Sequence, residues 1–147
     1  RNNEIISVNE ENDRPSDRYP DIEIYIQQIQ LPELVDWLTS RLEVSSIEEK
    51  GKSTVLMLMN SNGDNVVANG TSMACTIVPE AVKGNFTSVW ITPNNTEWLT
   101  DRDFAREAHN HFQLETRCST GSWDGNDEQG WLRLTPDGES IVNWLAD

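Results

Sequence analysis

Basic side chains are scarce in this sequence: 11 Lys and Arg stand against 25 Asp and Glu, a net charge of −14 over 147 residues. Such a chain is repelled by nucleic-acid backbones and by anionic membrane surfaces, so direct nucleic-acid binding is disfavoured and a cationic partner is favoured. Long apolar runs are missing as well, and nothing approaches the length of a membrane span. Cysteine is nearly absent. Cys75 in "SMACTIV" and Cys118 in "ETRCST" cannot build a disulfide framework, and neither has a CxxC neighbour for zinc or redox work. Both read as reduced, semi-buried thiols. Paired carboxylates in a recognisable setting, a phosphate-cradling glycine loop and metal-ligand spacing are also missing, so no cofactor and no metal are expected and an enzyme is the less favoured class.

The chain opens on polar "RNNE" rather than on the basic and apolar regions of a leader. It reads as cytoplasmic, with export left open. Asn69, Asn85 and Asn94 sit in N-x-[ST] sequons, a number that a chain rich in Asn, Ser and Thr produces by accident.

What the sequence does have is core material, with six Trp, three Phe and two Tyr in an apolar fraction of 36%. At this length that suffices for one domain without staples. Its charge is unevenly laid out: residues 1–50 carry net −7, residues 51–100 net −1 and residues 101–147 net −6. The neutral middle third is expected to form the β-rich core, with the acid at the two ends.

Residues 1–20 form a polar arm whose only apolar cluster is Ile5, Ile6 and Val8, and residues 21–147 form the domain. "DIEIYIQQIQ" alternates, with Ile22, Ile24 and Ile26 on one face of a strand. Leu31, Leu34, Val35, Leu38 and Leu42 recur at helical spacing, with Pro32 in a first turn that tolerates it, and predict a helix over 31–43. "STVLMLM" and "NVVAN" read as strands around the Asn-Gly turn of "NSNGDN". "SMACTIV" and "FTSVWI" continue the series around "PEAVKGN", read as a turn. Thr100 and Asp103 have the spacing of a capping box, and Leu99 and Phe104 that of a hydrophobic staple, so a second helix spans about 101–112. "LETRCS", "GWLRLT" and "ESIVNWL" follow as closing strands, the last two joined by "PDG". Residues 139–146 fit a C-terminal helix equally well. The fold class is α+β: a mainly antiparallel sheet of about five to seven strands with two helices packed on one face. Trp37, Phe104 and Phe112 are expected to be largely buried, with Met57, Cys75, Val89 and Ile91 in the sheet.

Three tempting motifs dissolve on inspection. "GTSMA" at Gly70–Ala74 resembles the segment that carries the nucleophilic serine of subtilisin-like proteases, a resemblance that would nominate Ser72. It covers five residues, "CTIVPE" lacks the expected Ser-Pro, and both histidines lie downstream of the serine, so Ser72 reads as a strand residue. His109 and His111 stand two apart, which puts them on opposite flanks of a helix and rules out joint chelation. A Cys118 nucleophile paired with one of these histidines lacks any feature beyond Arg117 that would lower the thiol pKa.

The segment "GSWDGNDEQGW", residues 121–131, fails as a calcium loop because Gln129 stands where Gly is required and Thr135 where Glu is required. It reads as a β-connection with aromatic anchors and outward carboxylates. The expected function is an acidic protein-binding domain, an inhibitor of the immunity or antitoxin type that occupies the basic site of a nuclease or nucleic-acid-binding protein. Its candidate contact residues are Trp123, Asp124, Asp127, Glu128 and Trp131 in that segment, with Asp101 and Asp103 at the second helix. The alternative is a small enzyme or ligand-binding domain whose site is assembled only in three dimensions.

Overall fold

The computed structural model describes residues 19–59, 72–119 and 130–142. It is an α+β structure in which eight strands, rather than five to seven, form one antiparallel sheet. In chain order the elements are β1 (Ile22–Gln27), α1 (Leu31–Arg41), β2 (Val44–Lys50), β3 (Ser53–Leu58), β4 (Met73–Val82), β5 (Phe86–Thr92), α2 (Asp101–Phe112), β6 (Thr116–Ser119), β7 (Trp131–Thr135) and β8 (Gly138–Val142). Across the sheet they run β2-β3-β4-β5-β1-β6-β7-β8. The first described strand therefore lies in the interior, joining the meander β2 to β5 to the meander β6 to β8.

Register follows the apolar alternation. Ile22 faces Ile91 and Ile24 faces Val89; on β4, Cys75 also faces Ile91 and Ile77 faces Val89. These residues share one face and are fully buried or nearly so. Leu34, Trp37 and Leu38 of α1 and Phe104, Ala105 and Ala108 of α2 join them in a single core cluster. Phe112 is only half-buried, packed at the margin of that cluster. The opposite face carries Glu23, Tyr25 and Gln27 of β1, which face Trp90, Ser88 and Phe86.

The helices begin and end where local chemistry directs. Pro32 sits in the first turn of α1, and the helix stops at Arg41 because Leu42 turns extended, its N–H still reaching Leu38 O at 2.8 Å. The Thr100 hydroxyl accepts the Asp103 N–H at 3.2 Å, capping α2. Gln113 ends α2 in the left-handed conformation, φ 60°. Leu99, the residue expected to staple α2, is exposed. Its neighbour Trp98 is buried instead and stacks on Phe104 with centroids 4.5 Å apart.

Two further readings of the chain are corrected. The strand β2, "VSSIEEK", was not expected; it is an edge strand, almost wholly exposed, and shows no alternation to read. "PEAVKGN" is not all turn, because β4 continues to Val82 through a register shift after Val78. Only Lys83 to Asn85 make the reversal, with Gly84 at φ 101°. Of the two readings open for the C-terminal segment, residues 138–142 take the strand. "NVVAN" and its Asn-Gly turn lie outside the described residues, as do residues 143–147 and the arm 1–18.

Candidate interaction surface

The entry into β1 is fixed by one buried amide. Asn94 donates from Nδ2 to Tyr19 O at 3.2 Å and to Trp98 O at 2.8 Å, while its own N–H donates to Pro20 O at 2.8 Å. Tyr19 N closes the contact on Leu99 O at 2.8 Å. This clamp brings Asp21 and β1 to the start of α2. With both amide hydrogens engaged, Asn94 is a structural residue and not an open sequon.

Three carboxylates meet there. Asp101, the first residue of α2, is half-buried, and its Oδ1 accepts the Glu23 backbone N–H at 3.0 Å. Asp21 accepts from Trp90 Nε1 at 2.9 Å, and Glu23 accepts from Ser88 Oγ at 2.9 Å. All three lean on neutral donors: no ion pair among the described residues includes any of them. The ion pairs among the described residues lie elsewhere: Arg41 with Glu97 and Glu107, Lys50 with Glu48, Arg106 with Glu139, and Arg117 and Arg133 with Glu115. Burial, then the negative charges of Asp21 and Glu23, push the Asp101 carboxyl up to about 6 against the relief of its backbone hydrogen bond. Burial and the Glu23 carboxylate likewise push the Tyr25 phenol up to about 12. Among the described residues, then, these three carboxylates gather negative charge that no ion pair offsets.

Tyr25 connects this cluster to the segment singled out in the sequence. Trp131 is half-buried and meets the Tyr25 ring edge-on at 5.8 Å. Trp131 is also the register partner of Ser119, so the two roots of residues 120–130 stand side by side on β6 and β7. Trp123, Asp124, Asp127 and Glu128 lie outside the described residues, as does the start of the calcium-like spacing. Asp103 is exposed on the first turn of α2, with its backbone committed to the Thr100 cap. Sequence reasoning missed Asp21 and Glu23. The only signal for Glu23 was its place between Ile22 and Ile24, which sends it to the face opposite the core.

The other chemistry-bearing side chains have structural settings. Cys75 and Cys118 are free and fully buried, and burial pushes both thiols up to about 12. Such thiols are poor nucleophiles at neutral pH. His109 Nδ1 lies 2.8 Å from Leu114 O, and since a carbonyl can only accept, that nitrogen carries the proton. His111 stacks on Trp37 at 5.7 Å. Among the described residues no group of three or more His, Cys, Asp or Glu side chains is placed to hold a metal ion. Nor is any described helix long and apolar enough to cross a membrane. The chain matches no protein-family model, no curated protein and no solved structure.

Proposed function

We propose that the chain is an acidic protein-binding domain, an inhibitor of the immunity or antitoxin type that covers the basic site of a nuclease or other nucleic-acid-binding protein. The observation that carries this reading is the meeting of Asp21, Glu23 and Asp101 beside the roots of the 120–130 segment, with no ion pair to any of them among the described residues. A Lys or Arg side chain brought by a partner would supply a positive charge to pair with them. Carboxylates in this role stand in for phosphates, speeding encounter and setting specificity. Trp131 and Trp123 would serve as aromatic anchors within the charged rim. The working place of such a protein would be the cytoplasm, beside its toxin.

The test is capture of a basic partner at low and high ionic strength, followed by assay of the captured protein's nuclease activity with and without the domain. Wild-type domain should bind and silence the enzyme, and salt should release it. An Asp124→Asn, Asp127→Asn, Glu128→Gln variant and a separate Asp21→Asn variant should each lose about tenfold in affinity, about 1.4 kcal/mol. Binding that ignores both variants and salt would overturn the reading.

A further inference from the structure

The geometry points to a second binding site, for a primary ammonium group, in the cleft between the C-terminal half of α2 and the β7–β8 turn. It lies along the C-terminal half of α2, where His109 and Asn110 stand about 12–14 Å from Asp101 at the helical rise. It does not depend on the reading above. The cleft has a volume of about 410 Å³, ample for a lysine side chain or a short alkyl diamine. Leu134 and Pro136 give it an apolar wall against which a methylene chain can lie.

Its polar lining is biased toward acceptors. Arg106 would be the natural anion-binding group, but its Nε and Nη2 are fixed on the Glu139 carboxylate at 2.9 and 3.0 Å, so its charge is matched within the cleft wall. His109 has Nδ1 held by Leu114 O, which leaves Nε2 as the remaining polar atom of the ring. Gln113 directs its Nε2 back to Asn110 O at 3.0 Å and His109 O at 3.4 Å, leaving Oε1 as its remaining polar atom. Asp137 is exposed and takes part in no ion pair among the described residues. The negative end of the α2 dipole falls in the same place. An ammonium group offers three donors and no acceptor, the complement of this lining. A carboxylate or phosphate would meet an Arg106 already matched by Glu139.

Two sources share this chemistry: a free alkylamine and the lysine side chain of a protein. Amide chemical shifts of the whole chain can be followed during titration with 1,4-diaminobutane, with N-acetyl-lysine methylamide, and with the same lysine derivative acetylated on Nε. The charged ligands should give saturable shifts at Asn110, Gln113, Asp137 and Gly138, and the acetylated one should not. Tighter binding of the diamine assigns a free amine, and equal or tighter binding of the lysine derivative assigns a protein side chain. Asp137→Asn, which leaves the Asp137 N–H bond to Thr135 Oγ1 in place, should weaken binding about tenfold, as expected for one charge-assisted hydrogen bond. The Asp21→Asn variant should bind the amines normally, which separates this site from the acidic surface. Absence of saturable shifts, an equal response to the acetylated ligand, or unchanged affinity in Asp137→Asn would each overturn the assignment.

Discussion

The Asp101 carboxylate takes a hydrogen bond from the backbone of Glu23, 78 residues away in the chain. It does so where strand pairing stops: β1 and β6 are register partners only at Tyr25 with Arg117 and Ile26 with Thr116. Beyond Tyr25 the side chain of a helix takes the place of a strand. A backbone donor that would otherwise be stranded is satisfied, at the expense of holding a carboxylate among Asp21 and Glu23.

That arrangement sets a pH dependence of stability. The Asp101 carboxyl is raised from 3.8 to about 6, so folding favours its protonated form. Its contribution is complete below the unfolded value and is withdrawn as pH rises through about 6. The helix N-terminus favours the charge by about 0.5 kcal/mol, which offsets part of the loss. After allowance for solvent screening, the net is on the order of 1 kcal/mol. Asp101→Asn keeps an acceptor for the Glu23 N–H and should equal or exceed the parent in stability at pH 7. Urea denaturation across pH 4 to 7 should show the decline between about 4 and 6 in the parent and a flatter profile in the variant. Parallel profiles would sink the idea.

A second prediction concerns Trp98. It stacks on Phe104 at 4.5 Å and on Trp37 at 5.8 Å, and its Nε1 donates to Glu107. Trp98→Ala removes a buried aromatic from the joint between both helices and should cost about 3–5 kcal/mol. Trp98→Phe keeps much of the stack and loses the polar bond, for about 1–2 kcal/mol. The urea midpoint, at unchanged slope, is the measurement. Equal effects of the two substitutions would mean that the hydrogen bond, not the stack, holds the joint.

Arg41 ties the end of α1 to α2 through Glu107, and it also pairs with Glu97 and lies over the Trp98 ring at 5.6 Å. Its guanidinium holds the Glu107 carboxyl below its ordinary value of 4.5. Stability from Glu107 is therefore present above that value and is lost as pH falls through the lower folded one. Arg41→Ala should unfold at a higher pH on acid titration than the parent. Glu97 is the more exposed partner, and Glu97→Gln should change stability by less than about 0.5 kcal/mol. An acid midpoint unmoved by Arg41→Ala would show that the pair contributes nothing.

The elements that could be read from the sequence are those whose signal is local. The alternation of Ile22, Ile24 and Ile26 announces a strand with one buried face, and Thr100 followed by Asp101 and Asp103 announces the start of α2. Failure came where burial or contact is decided from a distance. β2 is exposed on both faces, so Ser45, Ser46, Glu48 and Glu49 give no period to detect. Trp98 and not Leu99 turns inward because Asn94 and Thr96 bind the backbone around it, with Asn94 Nδ2 on Trp98 O and Thr96 Oγ1 taking the Trp98 N–H. Asp101 was legible as a helix-start carboxylate. Its union with Asp21 and Glu23 was not, because that contact exists only once β1 has been placed next to α2.

The position of β1 also matters during synthesis, when the chain emerges from its N-terminal side. β1 is made before either neighbour, and the residue that Ile22 faces, Ile91, follows roughly 70 residues later. At about 5–20 residues per second, this strand waits roughly 4–14 seconds for its first partner. Its second neighbour, β6, comes later still. Through that interval Ile22, Ile24 and Ile26 form an apolar edge with no native strand to pair with, while Glu23 interrupts the run with charge. The residue that later joins the acidic cluster is therefore also the one placed to discourage nascent chains from adhering to one another.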